Sequence, residues 1–459
     1  MGRESIADLI AKLHNGKLDR REFVTRAGAA GLSLGLIGNV LRASGAAAQA
    51  TPAATGMPES TQIGVPGIAH TTDTSKGKIK LFSSWPLTGT YDQIGGDAVL
   101  AVKLCLADFG SSAGGFAIEY EALDDGVAAN NGGWEAGKES ENANKVVNDT
   151  DCMVYMGTYN SGAAKISIPI LNGAGMAQIS YANTYPGLTK KIEGATDVGE
   201  PDKYFPSGKR NYMRVCPADD VQGAAAANWA FGELGKKLAY VIHDQSLYGK
   251  GVASVFKLSF EKAGGKVLGF EGYDPKASDY QSLMTSIADK KPDLLMCGAT
   301  VDNNAAKVLQ DMRSVMDPKD VTFLGPDGLI NDAFVKGAAD AAEGAYLTFA
   351  GYTPDKLLEL GGPGGDYVKR ITEKLGHPPD SYAVYAYETT VVVLQSIEKT
   401  GEKDRAKILD TMLKTEGFAS LLGGTWAFTA TGDTNSAVIG LSMIKGGKIT
   451  YQKTISGGQ

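Results

Sequence analysis

Histidine is scarce in this 459-residue chain: there are four, His14, His70, His243 and His377. Cysteine is no commoner, with Cys105, Cys152, Cys216 and Cys297. None of these forms a CxxC pair or a cysteine–histidine cluster, so the usual zinc arrangements are excluded. A cationic excess is also lacking. Lys and Arg total 45 against 52 Asp and Glu, a net charge of −7, so no nucleic-acid surface is expected. Beyond the N-terminal segment no apolar run approaches the roughly 20 residues that cross a bilayer. Enzyme signals are thin as well. His243 next to Asp244 is the one base-and-orienter candidate, with no Ser or Cys nucleophile in a fitting context. The stretch "GGPGGD" (361–366) lacks the Lys-Ser/Thr ending of a phosphate loop. Asp124-Asp125 has no second ligand cluster behind it. No metal and no cofactor are expected.

What is present begins with "KLDRREFVTRAGAAGLSLGLIGNVLRASGAAAQAT". Arg20 and Arg21 precede an apolar run from Ala27 to Leu41, and Ala48-Gln49-Ala50 follows as a small-x-small cleavage pattern. This pattern predicts a twin-arginine export signal over 1–50, removed to leave a soluble chain in the periplasm. The run is too short for a membrane anchor. "GLSLG" (31–35) matches a nucleophile elbow but lies in the segment to be removed, without the strand and helix that motif needs. In an oxidising compartment Cys105 with Cys152 is the candidate disulfide; buried free thiols are the other reading.

Residues 51–77, rich in Thr, Pro, Gly and Ala, read as a flexible lead-in. From Lys78 apolar strand patterns alternate with helix patterns, stop over an irregular stretch at about 182–211, and then resume. Expected helices include 95–109, 162–172, 221–234 and 249–264, and the C-terminal end reads as a hairpin or edge strands. Such alternation predicts parallel sheets covered on both faces by helices, here in two α/β lobes.

Ligands of parallel sheets sit at the carboxyl ends of the strands. The first run offers Trp85, Tyr159, Ser161 and Thr184 there; the second offers Tyr248, Thr300 and Asp327. Ser161 opens a helix pattern, where unpaired N–H groups and the helix dipole favour an anion. On local pattern alone a plain helix cap is the better reading. Asp327 in "GPDG" reads as a turn residue or as a partner for an ammonium. Trp85 and Tyr248 read as core, rim or ligand contacts.

Taken in order, "PLTGTYDQIGGDAVLAVKL", "VVNDTDCMVYMGTYNSGAAKISIPILNGAGMAQISYANTYPGLT", "LAYVIHDQSLYGKGVA" and "VTFLGPDGLINDAF" resemble the periplasmic branched-chain amino acid binding proteins, the solute receptors of ABC importers. The resemblance spans about residues 78–455. It implies a type I Venus-flytrap fold of two doubly wound three-layer lobes joined by three crossovers. The first lobe is expected at 78–212 plus 351–427 and the second at 213–350 plus 428–459. It further implies that Ser161 and Thr184 hold a ligand α-carboxylate. Thr184 and the Ala182 carbonyl would take the ammonium, with Tyr248 and Asp327 closing from the second lobe. Departures are Asp327 for a glutamate, Thr300 for a tyrosine, Ile94 for an aromatic residue, Tyr159 for a leucine, added bulk at Trp85 and an insertion at "AANNGGWEAGKES". The expectation is a non-enzymatic, monomeric receptor for a branched-chain or other apolar amino acid that serves a membrane permease. The alternatives are urea, a short amide or an aromatic carboxylate as ligand, a secreted α/β enzyme using His243, or a sensory module.

Overall fold

A computed structural model describes residues 63–456. The export segment, with Arg20 and Arg21, lies outside the described residues. The first sheet contains β1 (Lys78–Ser84), β2 (Ser112–Ala113), β3 (Phe116–Leu123), β4 (Cys152–Gly157), β5 (Ala177–Ser180) and β6 (Tyr212–Arg214). Their spatial order is β2-β3-β1-β4-β5-β6, parallel throughout except for the short edge strand β2. The second sheet runs β15-β14-β11-β10-β9-β7-β8. Its parallel part is β7 (Leu238–His243), β8 (Lys266–Gly272), β9 (Leu294–Gly298), β10 (Thr322–Gly325) and β11 (Tyr346–Phe349). β14 (Ile439–Lys445) and β15 (Lys448–Ile455) add an antiparallel hairpin at one edge. Gly446 and Gly447 turn it, both at positive φ, as a tight two-residue hairpin loop requires.

β4 and β9 are buried at every position. That is why "CMVYMG" and "LLMCG" read as unbroken apolar runs rather than alternations: helices cover both faces. On the first sheet one face carries α1 (Asp92–Asp108) and α11 (Ala383–Thr400); the other carries α2 (Ala136–Asn148) and α3 (Ser161–Gly173). α11 is buried continuously from Ala383 to Ile397, and the polar side chains in that stretch include Glu388, Thr389, Thr390, Gln395 and Ser396. The second lobe adds α4 (Asp219–Asn228), α5 (Leu247–Lys262), α6 (Gln281–Ala288), α7 (Ala305–Val315) and α8 (Asp332–Ala338). α9 (Pro354–Leu360), α10 (Gly362–Leu375) and α12 (Arg405–Met412) complete the helices, with a two-strand pair β12 (Phe418–Ala419) and β13 (Thr425–Trp426).

The chain passes between the sheets after β6, after β11 and before β14. Arg214, fully buried at the end of β6, ties the first and third of these passages together. Its Nε donates to Asp433 Oδ1 at 2.7 Å, and Nη1 donates to the Asn183 and Tyr185 carbonyls at 3.1 and 2.9 Å. Burial pushes the Asp433 carboxyl up, but Arg214 and Lys190 outweigh it and hold the carboxyl below its ordinary range.

Of the two cysteine readings the buried free thiols hold, and two other expectations meet a different outcome. Cys105 and Cys152 are free, buried thiols in separate apolar clusters on opposite faces of the first sheet, so no bridge can join them. Within the lead-in, the described residues are tied down: Gly64 pairs with Ala419, Val65 N donates to Gln395 Oε1 at 2.8 Å and Thr71 N to Glu398 Oε1 at 3.0 Å. The helix expected over 221–234 divides into α4 and a π-type turn, Trp229–Glu233.

Candidate functional site

The strand ends of the two sheets face each other across a cleft. On the first-lobe side β4 leads through Tyr159 and Asn160 into α3. Asn160 has extended backbone (φ −83°, ψ 132°) and no side-chain capping bond, so Ser161 is the first helical residue. Ser161 Oγ accepts from Tyr185 N at 3.2 Å. With one lone pair used this way, its O–H remains free to donate, beside the positive end of the helix. Asn160 is buried, and its Oδ1 has no hydrogen-bond partner.

Thr184 is buried on the loop after β5. Its Oγ1 has no hydrogen-bond partner, and it lies beside the Asp219 carboxyl. The Asp219 N–H donates to the Thr184 carbonyl at 2.8 Å, joining that loop to the start of α4.

The second-lobe side is acidic. Asp327 lies just past β10 and is 4% exposed. Tyr248, in the first turn of α5, donates to Asp327 Oδ1 at 2.7 Å and accepts from Gly328 N at 2.9 Å, which fixes the direction of its hydroxyl. Gln222 donates to the same oxygen, and Tyr382 reaches from the first lobe to Oδ2. Burial raises the Asp327 carboxyl above its ordinary pKa; the Tyr382, Gln222 and Tyr248 donors oppose that rise. Close to it, Asp219 is pushed well up by burial and then by the Asp327 charge. Thr300 N and Asn303 Nδ2 bind Asp244 Oδ2 at 3.1 and 2.7 Å, so Asp244 organises the loops beneath the site.

A cavity of about 20 Å³ remains between these groups. Tyr159, Asn160, Ser161, Ala182 and Tyr382 line it from the first lobe; Tyr248, Thr300, Asp327 and Gly328 line it from the second. It adjoins an outer cleft of about 1160 Å³ that shares Asn160, Ser161, Tyr248 and Thr300. Six of the sequence candidates therefore converge: Tyr159, Ser161, Ala182, Tyr248, Thr300 and Asp327. Thr184 lies behind them. Trp85 and Ile94 pack in the core and line neither the cavity nor the outer cleft: Trp85 Nε1 donates to the Gly95 carbonyl at 3.1 Å with its ring against Tyr181. Tyr91, three residues before Ile94, brings its ring to 5.4 Å from Tyr159.

Tyr382, Asn160 and Gln222 were not singled out from sequence. Asn160 stands directly before Ser161 and carried a local signal. Tyr382 and Gln222 carried none, because only the crossovers bring them to the cleft. His243 Nδ1 accepts from Gln245 N at 3.1 Å, and burial, with Lys250, lowers its pKa to about 4. Asp244 is engaged elsewhere, so the two form no base-and-orienter pair. Asp124 Oδ1 accepts from the Leu87 and Gly126 amides at 2.9 and 2.8 Å, a turn role. No metal-holding group occurs among the described residues.

Two α/β lobes facing each other across a closed cleft define a type I periplasmic binding protein fold. Solved structures share it. Leucine-binding protein LivK from Thermotoga maritima superposes with a TM-score of 0.71 at 21% identity, covering 82% of this chain and 98% of that one. A benzoate-bound ABC-transporter solute-binding protein from R. palustris superposes at 0.67 and 22% identity, covering 83% and 97%. The periplasmic binding protein family model matches residues 78–448, and the chain belongs to that family. Among relatives, the Leu/Ile/Val-binding protein BraC3 of Rhizobium johnstonii is 27% identical over 309 residues, 67% of this chain and 77% of its own length. A leucine-, isoleucine-, valine-, threonine- and alanine-binding protein of Pseudomonas aeruginosa is 25% identical over 270 residues, 59% of this chain and 66% of its own.

Proposed function

We propose that the protein is the solute receptor of an ABC importer and closes its two lobes on an α-amino acid with a branched-chain or other apolar side chain. The observation that carries this reading is the opposition of the two walls. A free Ser161 hydroxyl at the N-terminus of α3 suits a carboxylate, and the buried Asp327 faces it across a cavity that also holds the unpartnered Asn160 Oδ1. The ligand docks on the first lobe, and the second lobe brings Tyr248 and Asp327. A permease is the partner, and the receptor works as a monomer. Arg20 and Arg21 serve twin-arginine export to the periplasm. No catalytic step is assigned, because His243 is a neutral, turn-bound imidazole.

A second reading, an aromatic carboxylate, is favoured by two observations. Asp327 is already satisfied by neutral donors from Gln222, Tyr248 and Tyr382. The cavity wall holds Tyr159 and Tyr382 edge to face at 5.9 Å. Calorimetric titration of the refolded chain with L-amino acids, urea, acetamide and benzoate separates the two. Apolar amino acids are expected to bind one to one, and Asp327→Ala to weaken them about 100-fold by removing the partner of a buried cation. Benzoate binding that is indifferent to Asp327→Ala would establish the second reading instead.

A further inference from the structure

At the outer edge of the cleft, away from the inner cavity, a second contact joins the lobes. Tyr91, buried at the entry to α1, donates from Oη to Asp302 Oδ1 at 2.5 Å; Asp302 lies between β9 and α7. The inserted loop after β3 braces this pair. Thr90 N donates to the Asn131 carbonyl at 2.9 Å. Gly132 lies so close to the Thr88 carbonyl that a Cβ there would stand 1.9 Å from it. A Cβ on Gly133 would stand 2.5 Å from Asp302 Oδ2. Trp134 covers Gly162, next to Ser161. Neither Tyr91 nor Asp302 lines the inner cavity.

We propose that Tyr91 and Asp302, with the loop at 126–135 as brace, form a latch that holds the two lobes closed whether or not the cavity is filled. Recognition and retention are then assigned to different residues. Ser161 and Asp327 select the ligand, whereas Tyr91 sets how long the closed form lasts. Asp302 is half-buried, and the partial exclusion of water strengthens a phenol bond made to it, which opening the cleft would exchange for a bond to water. The insertion acquires a purpose as well: without it Thr90 and Asp302 would lose their neighbours at the lip. This inference rests on the receptor reading only in requiring lobes that separate.

The test measures the distance between spin labels at Glu141→Cys on α2 and Lys336→Cys on α8, in the refolded full chain without ligand. Both positions are exposed and the native thiols are buried. The parent is expected to show a short-distance population. Tyr91→Phe, which keeps the ring and removes the hydroxyl, should lower the closed-to-open ratio about tenfold. Asp302→Asn, whose amide oxygen still accepts, should lower it about two- to threefold, and Tyr451→Phe, remote from the cleft, should leave it unchanged. An unchanged ratio in Tyr91→Phe, or no short-distance population in the parent, overturns the latch. Failure of every candidate ligand in calorimetry, with the ratio still shifted by Tyr91→Phe, removes the amino-acid reading and leaves the latch standing.

Discussion

The two walls of the cleft are built from different chemistry. The first lobe brings to the cavity Tyr159, Asn160, Ser161, Ala182 and Tyr382, without a formal charge among them. Its attraction for an anion comes from a helix end and hydroxyls. The second lobe brings the carboxyl of Asp327, supported by Tyr248 and Gln222. A neutral wall can be desolvated cheaply and stays preformed. A carboxylate wall is costly to bury until something complements it. In the proposed receptor the difference sets an order of contacts: once the lobes part, the ligand docks on the neutral lobe first, and the acidic lobe then discriminates by what the ligand offers it.

The strongest way to break this asymmetry is to remove what holds the neutral wall in place. Arg214 grips the loop carrying Thr184 and Tyr185 by two backbone carbonyls and pairs with Asp433. Arg214→Met removes the buried cation that pairs with Asp433 and leaves it the half-buried Lys190 and the Thr189 hydroxyl. The expected loss is about 3–5 kcal/mol of unfolding free energy, read by denaturant titration. Because the first and third passages between the lobes meet at this ion pair, ligand affinity should fall with it.

Ser161→Ala addresses the neutral wall without touching charge. It removes a donor to the ligand carboxylate and leaves Tyr185 N–H, which now donates to Ser161 Oγ at 3.2 Å, without its acceptor. Affinity should drop by about 2 kcal/mol, the scale of a hydrogen bond to a charged group. Thermal stability should fall by a smaller amount. Equal losses of affinity for amino acids and for benzoate would place both carboxylates on this helix end.

The fold was largely legible because its parallel strands are covered on both faces. β4 and β9 announced themselves as apolar runs, and the clean alternation with helices gave the two-lobe architecture. Boundaries failed where local periodicity and backbone geometry part: the helix pattern over 221–234 does not disclose the π-type turn at Trp229. Of the site, residues at strand ends were legible, since topology alone places Ser161 and Asp327 there. Tyr382 was not. It opens α11 nearly 200 residues after Thr184, and only the return of the chain to the first lobe brings its hydroxyl to Asp327. Thr184, Trp85 and Ile94 show the converse. Each stands close to the cavity in sequence terms, yet packing turns them behind its lining.

A smaller effect sharpens the comparison through pH. The first lobe buries Glu139 and Glu388 and half-buries Asp380, each with its pKa raised to about 7 by desolvation. Glu388 receives Ser420 Oγ and Leu421 N at 2.7 and 2.6 Å and so fastens the segment around β12 and β13 to α11. Its folded pKa lies above the ordinary 4.5 of the unfolded chain. The folded state therefore holds the proton more tightly between those values. The stability this contributes is fully present below about pH 4.5 and is lost as pH rises through about 7. Glu388→Gln keeps an acceptor oxygen and removes the titration. Its unfolding free energy should decline less between pH 5 and 7 than the parent's, by on the order of 1–2 kcal/mol. The same slope in both proteins would assign the pH dependence to Glu139 and Asp380. That outcome would also mean that Glu388 is ionised above pH 5 in the folded lobe, held charged by Ser420, Leu421 and Trp426 Nε1 against the cost of burial.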